Sequence, residues 1–398
     1  MPSLTDTQAQ AALDALDHFN IELPSWGFAD TGTRFGKFRQ DAAASTTEEK
    51  FHDAGLVHKL VGCCPTVAVH VLWDFDVSQP AEQAAKDTVA IAEKNHVKVG
   101  SINPNVFQSQ AYKLGSFCSP DAAARHEAME HSLYCVDILK HTDSKVLSMW
   151  LADGTNYPGQ DNLRVRKKRL EGALKEIHDA MPDESTMLVE YKPFEPAFYH
   201  TDIADWGMAA TFAFAAGPKA RVLVDTGHHL PGQNIEHIVA FLLDEVISGR
   251  PMLGGFHFND RKYADDDLTM GSIDPYAVFR IFNEIAQHTH DTGSRTPIEY
   301  MVDQSHNLKP KLEAMVQTAV EAQKQYARAH AVDRKELAEA QNSGDIVEAE
   351  LCLKNAFEAD VTPVLEQWRS SRNLPADPLE ELRSSGIIDK LGKERAAN

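Results

Sequence analysis

The chain is short of basic residues, cysteines and long apolar runs. Its 39 lysines and arginines stand against 59 aspartates and glutamates, a net charge of −20 with histidine neutral. Nucleic-acid binding rests on clustered Lys and Arg, so this balance argues against a nucleic-acid partner and against an anionic membrane surface. The charge is dispersed rather than blocky, which describes a solvated exterior. The five cysteines, Cys63, Cys64, Cys118, Cys135 and Cys352, are odd in number and lack CxxC or secreted-type spacing. A reduced, cytoplasmic chain is therefore expected, with adjacent Cys63 and Cys64 as buried small side chains. No apolar run approaches the roughly 18 residues of a membrane helix. No basic-then-apolar signal opens the sequence. No G-x-G-x-x-G turn follows the first apolar run, which weakens a dinucleotide-binding fold.

What is present is alternation. Within 398 residues, 43% of them apolar, short β-rich runs alternate with longer amphipathic segments. The strand candidates span 22–28, 66–72, 97–102, 145–151, 185–191, 220–226, 253–258 and 297–302. Helix candidates lie near 47–61, 81–95, 120–141, 162–181, 202–215, 234–247, 275–288 and 309–330. Thr46 with Glu49 reads as a capping box, and Ser119-Pro120 as an N-cap followed by an N1 proline. Eight strand–helix units predict an α/β chain with a (β/α)₈ TIM barrel over 1–330, in preference to an open doubly wound sheet. Over 331–398 the pattern becomes helical and charged. A helical C-terminal extension that covers the barrel or a neighbouring subunit is expected there.

A barrel of this kind keeps its chemistry at the C-terminal strand ends. The polar residues fall there. Glu190 and Lys192 end one strand candidate and share a face. Asp225 ends the next, with His228 three residues on. His257 ends the one after, and a polar loop then carries Asp265, Asp266 and Asp267. Asp303, with Ser305 beyond it, closes the series. Carboxylates and imidazoles in this number suit a pair of divalent cations. Without cations the carboxylates repel, since unit charges about 4 Å apart interact by about 4 kcal/mol at an intermediate dielectric. The expected metal ligands are Glu190, Asp225, His228, His257, Asp265, Asp267 and Asp303, with Asp225 bridging and Asp266 facing solvent. The ion could be Mn²⁺, Co²⁺, Mg²⁺ or Zn²⁺. His229 should point elsewhere, and the aromatics flanking His257 should face the barrel wall. At earlier strand ends stand Trp26, His70, Trp73, Asp74, Asn103, Trp150 and Asp153. His70 suits a substrate hydroxyl, and Trp73 and Trp150 an apolar wall for a small ligand.

These motifs resemble a known family. Glu-x-Lys-Pro-x-Glu-Pro from Glu190, Asp-Thr-Gly-His-His from Asp225, then His257, Asp-x-Asp and Asp303 are similar to the xylose-isomerase-like sugar isomerases. Gly32-Thr33-Arg34-Phe35, the run Cys64-Pro-Thr-Val-Ala-Val-His70 with Trp73-Asp74, and Val224 through His229 are most similar to broad-specificity bacterial L-rhamnose isomerase. The resemblance spans roughly residues 25–310. It implies a homotetramer with two divalent ions per subunit, usually Mn²⁺. Glu190, Asp225, His257 and Asp303 would hold a structural ion, and His228, Asp265 and Asp267 a catalytic one. Lys192 and His70 would contact substrate oxygens, and Phe35 or Phe38 would reach over a neighbouring site. His70, Trp73, Trp150, Lys192 and Ser305 are the substrate-binding candidates, and Asp303, Lys192 and His70 the catalytic ones.

The expected reaction converts an open-chain aldose to its 2-ketose, for example L-rhamnose to L-rhamnulose, by a 1,2-hydride shift. Asp303 or a bound water would handle the hydroxyl proton. The alternatives are a ketose 3-epimerase on the same barrel, a metal-dependent phosphodiesterase of the abasic-site endonuclease type, and a non-catalytic carbohydrate-binding protein. An epimerase usually uses one metal and two glutamates, whereas Asp303 and an Asp-x-Asp stand here.

Overall fold

A computed structural model describes residues 2–33, 36–195, 199–263, 267–305 and 308–396. Eight strands form one sheet in sequence order: β1 (Leu23–Pro24), β2 (Thr66–His70), β3 (Lys98–Asn103), β4 (Val146–Met149), β5 (Thr186–Glu190), β6 (Ala220–Asp225), β7 (Leu253–Phe258) and β8 (Glu299–Val302). Each pairs in parallel with the next. The sheet closes through a parallel bridge between Glu22 and Met301, where Glu22 N donates to Tyr300 O at 2.8 Å and Val302 N to Glu22 O at 2.9 Å. The fold is the expected (β/α)₈ barrel.

Helix α1 (Asp6–Leu16) precedes the barrel. The outer helices are α2 (Thr47–Val61), α3 (Ala81–Lys94), α4 (Ala122–Lys140), α5 (Leu163–Ala180), α6 (Trp206–Ala216), α7 (Ile235–Asp244), α8 (Pro275–Thr292) and α9 (Lys311–His330). Thr46 and Glu49 do form a capping box on α2. The N-cap of α4 is Asp121, not Ser119. Ser119 Oγ instead accepts from Asp121 N at 3.2 Å, so Ser119 and Pro120 belong to the turn before the helix. The first strand is also shorter than 22–28. Pro24 offers no ladder N–H, and Ser25–Phe28 coil into a 3₁₀ turn.

Five more helices follow: α10 (Arg334–Ser343), α11 (Ile346–Glu358), α12 (Thr362–Ser370), α13 (Pro378–Ser384) and α14 (Ile387–Arg395). They return to their own barrel. Trp368 Nε1 donates to Asp17 Oδ1 at 3.0 Å. Arg395 reaches Asp53 Oδ1 at 2.7 Å and Ala42 O at 2.6 Å. Among the described residues no helix is long and apolar enough to cross a membrane. All five cysteines are free and buried.

Inside the barrel, Val146, Leu188 and Leu223 make a small apolar cluster of their own. Residues two apart on a strand share a face. Glu190 therefore stands one step beyond Leu188, and Asp225 one step beyond Leu223, both toward the C-terminal mouth.

Candidate metal centre

The mouth is built from strand ends. Glu190, Asp225, His257 and Asp303 each offer one ligand atom, and these atoms lie within 4.8 Å of one another. His257 Nδ1 is 3.2 Å from Glu190 Oε2, 3.7 Å from Asp303 Oδ2 and 3.9 Å from Asp225 Oδ2. His228 leans on the same carboxylate, with Nδ1 at 3.1 Å from Glu190 Oε1 and 3.1 Å from the Tyr191 carbonyl. A carbonyl only accepts, so His228 Nδ1 carries a hydrogen, which leaves Nε2 as the nitrogen that could meet a metal. His229 turns away and pairs through Nε2 with the Tyr191 hydroxyl at 2.7 Å. Phe256 and Phe258, flanking His257, stack at 4.9 Å, and Phe258 packs on Phe282 of α8.

The charges expose an imbalance. Burial opposes ionisation of Glu190, but the attraction of charged His257 and the close contact of His228 overcome it and hold the carboxyl below its usual range. Burial likewise opposes a charge on His257, and the surrounding Glu190, Asp303 and Asp225 carboxylates push it up to about 9. Burial, reinforced by the Asp225 and Glu190 charges, raises Asp303 to about 7 despite the attraction of His257. Protein groups alone thus retain protons that a cation would displace.

A divalent ion fits this donor set. His257 Nδ1 is buried and has no hydrogen-bond partner among the described residues. An octahedral ion with bonds of about 2.1 Å keeps its ligands roughly 3–4 Å apart. The three distances from His257 Nδ1 fall in that range, and the hard carboxylates with one imidazole match such an ion.

Above the cluster opens a cavity of about 280 Å³. One wall is aromatic. Ring centroids run Trp26–His70 at 4.8 Å, His70–Trp73 at 4.2 Å, Trp73–Phe107 at 6.0 Å and Phe107–Trp150 at 4.9 Å. The other wall is polar, with Lys192, Glu195, His228 and Asp267. Lys192 Nζ bonds Glu195 Oε2 at 2.8 Å and lies 5.3 Å from the Trp150 ring. Burial lowers His70 to about 3, so its ring is neutral, and its Nδ1 has no hydrogen-bond partner among the described residues. Behind this wall, Asp74 accepts from Ser25 Oγ at 2.6 Å, His70 N at 3.0 Å and Lys50 Nζ at 2.7 Å. That buried ion pair ties the ends of β1 and β2 to α2. Asp153 lies elsewhere, where it accepts from Ser116 and Cys118.

Asp267 lines the cavity from a left-handed backbone position, φ 45°. Ser305 is not in the described lining. Asp265, Asp266, Arg34, Phe35 and Pro196 lie outside the described residues. Phe38 is half exposed.

No protein-family profile matches the chain. A probable sugar isomerase of Rhizobium meliloti strain 1021 is 38% identical over 387 residues, 95% of this chain and 87% of that protein. One of Mesorhizobium japonicum is 37% identical over 395 residues, 97% of this chain and 89% of that protein. The chain belongs to this family of probable sugar isomerases. Two solved structures share its fold. A xylose isomerase domain protein of Alicyclobacillus acidocaldarius has a TM-score of 0.50, 14% identity and coverage of 78% of this chain and 99% of that one. A D-allulose 3-epimerase of Methylomonas sp. has 0.52, 14%, 77% and 97%. In this family member three lining or supporting residues escape the sequence reading. Ser148 sits two before Trp150 on the same face, a signal the strand period carries. Phe107 lies in the loop after β3, at the rim that already held Trp73 and Trp150. Asn259, two beyond His257, bonds Asp225 at 3.0 Å and carries no motif of its own.

Proposed function

We propose that this sugar isomerase interconverts open-chain aldoses and 2-ketoses, L-rhamnose and L-rhamnulose among them, with divalent cations, Mn²⁺ foremost, at the barrel mouth. The observation that carries the reading is the Glu190–Asp225–His257–Asp303 cluster beneath a monosaccharide-sized cavity with one aromatic wall. Cations bound there supply Lewis-acid polarisation of the sugar oxygens. The protein's own groups do the rest. Glu190, Asp225, His257 and Asp303 hold one ion, and His228, Asp265 and Asp267 a second. Lys192 and neutral His70 bind substrate oxygens from opposite walls. The Trp26, Trp73, Phe107 and Trp150 faces cover the carbon side of the sugar and exclude water. Hydrogen moves from C2 to C1 as hydride, and Asp303 or a bound water carries the proton from the O2 hydroxyl to the C1 oxygen. Asp303 is placed for this by Trp26 Nε1, which donates to its Oδ1 at 3.0 Å.

The test strips the protein with EDTA, restores Mn²⁺ or Co²⁺, and assays a panel of aldoses. Activity lost on stripping and regained with metal supports the reading; full activity in stripped protein defeats it. Isomerisation in deuterated water should leave C1 unlabelled, and substantial incorporation would replace the hydride path by an enediol. Asp267→Asn should lower kcat more than it raises KM.

A ketose 3-epimerase is the second reading, since a D-allulose 3-epimerase shares the fold. A C3-inverted ketose as the main product of the same assay would select it. For the assembly, we take residues 331–398 as an extension of the 1–330 barrel that meets neighbouring subunits in a homotetramer. Light scattering that returns a monomer mass refutes this.

A further inference from the structure

Every charged group that orients a carboxylate also alters its charge. Outside the cluster, three aspartates are held by cations, Asp74 by Lys50 at 2.7 Å, Asp53 by Arg395 at 2.7 Å and Asp202 by Arg166 at 2.6 Å, while Asp153 accepts from the neutral donors of Ser116 and Cys118. Inside the cluster, beside the imidazoles, Asp303 and Asp225 each also have a neutral donor. Asp303 is held by an indole. Asp225 is held by an amide. Asn259 Nδ2 reaches Asp225 Oδ1 at 3.0 Å and Oδ2 at 3.3 Å, and Gly227 N donates to Oδ1 at 2.7 Å. Oδ2, which takes the longer of the two amide contacts, also faces the imidazoles, 3.9 Å from His257 Nδ1 and 4.0 Å from His228 Nδ1.

Asn259 is itself locked. It is 1% exposed, its N–H donates to Thr226 Oγ1 at 3.0 Å, and that hydroxyl donates to the Asn259 carbonyl at 2.8 Å. A Cβ at Gly227 would sit 2.6 Å from Asn259 Oδ1, so a residue without a side chain is what lets the amide come this close. An –NH₂ group donates only, so this end of the amide can meet a carboxylate without competing for it. A lysine or arginine here would orient Asp225 equally well and cancel the charge a cation needs.

We infer that Asn259 is a positioning residue for the cation site. It fixes the orientation of the Asp225 carboxylate, with Oδ2 toward the imidazoles of the cluster, through a donor that brings no charge of its own. The inference rests on the proposed reading of the cluster as a cation site. Supporting groups of this kind are worth 10–100-fold in metal affinity.

The experiment titrates EDTA-stripped wild-type and Asn259→Leu protein with Mn²⁺, read by electron paramagnetic resonance, and records the visible absorption of the Co²⁺-loaded forms. Leucine keeps the volume and removes the donor. The expected result is Mn²⁺ binding about 10–100-fold weaker with displaced Co²⁺ bands, because the ligand oxygen has turned. Affinity within twofold of wild type with an unchanged Co²⁺ spectrum overturns the inference. Should Asn259→Leu fail to fold, Thr226→Val and Thr226→Ser carry the test. The serine variant keeps the locking hydroxyl and should bind as wild type, while valine should bind several-fold more weakly; equal affinities overturn it. A wild-type protein that takes up neither Mn²⁺ nor Co²⁺ defeats the metal reading itself, and the inference falls with it.

Discussion

The two ends of the barrel each hold a sheltered carboxylate, and they treat it in opposite ways. At the mouth, Glu190 is surrounded by two imidazoles at 3.1 and 3.2 Å and stays ionised. At the floor, Glu22 meets neutral donors: Ser101 Oγ at 2.5 Å and Ser101 N at 3.0 Å. Burial there, with Glu299 nearby, outweighs those hydrogen bonds and raises Glu22 to about 7. Gly100 completes the floor, since a Cβ at that position would overlap the Glu22 carboxylate. The floor is a private arrangement of protein groups that tolerates a neutral acid. The mouth gathers negative charge beyond what its own groups balance, which is what a cation site requires.

The sharpest way to break that contrast is Glu190→Gln. Removing the charge shared by both imidazoles should weaken Mn²⁺ binding by about 10³-fold or more, some 4 kcal/mol, measured by calorimetric titration. A variant that binds as wild type would make mouth and floor equivalent. Next comes pH. His257 and Asp303 hold protons up to about 9 and about 7, and a cation must displace them. Mn²⁺ affinity should therefore rise with pH, by about 10-fold per unit for each proton released between pH 6 and 8, with matching acidification of a weakly buffered dye. A flat profile contradicts the assignment.

The floor supplies the smaller effects. Gly100→Ala should cost about 2 kcal/mol in denaturant unfolding, and much of that should return in the Gly100→Ala/Glu22→Ala double variant. Additive losses would mean the two side chains do not compete for the same space. Smallest is Glu22→Gln. A carboxyl raised from 4.5 to about 7 on folding contributes stability that is fully present below pH 4.5 and lost as pH rises through 7. Wild type should lose about 1–2 kcal/mol across that window, less than the shift alone implies because water reaches the cavity. The glutamine variant should not. Parallel pH profiles for the two proteins would contradict the raised pKa.

How much of this was legible beforehand follows from what each feature depends on. The barrel was, because eight apolar runs each reach a polar strand end and the period of two puts Glu190 and Asp225 beyond apolar Leu188 and Leu223. Helix α2 was, because Thr46 and Glu49 cap locally. The start of α4 was misread because Asp121 outcompetes Ser119 for the same N-terminal N–H groups, a contest between neighbours that a motif does not rank. The length of β1 was misread because Ser25 and Trp26 are drawn out of the ladder by Asp74 and Asp303, partners 49 and 277 residues away. At the site, Glu190, Asp225, His257 and Asp303 were legible from position, and the supporting Asn259 and Trp26 contacts were not. An amide or indole beside a carboxylate is set by tertiary approach.

Arg395 has a structural consequence. Its guanidinium is wedged against Asp53 on α2, and α2 also carries Lys50, the partner of Asp74 beneath the aromatic wall. Helix α14 and the rim of the cavity therefore share one scaffold element. Removing that guanidinium loosens α2 and, through Lys50, the footing of the aromatic wall.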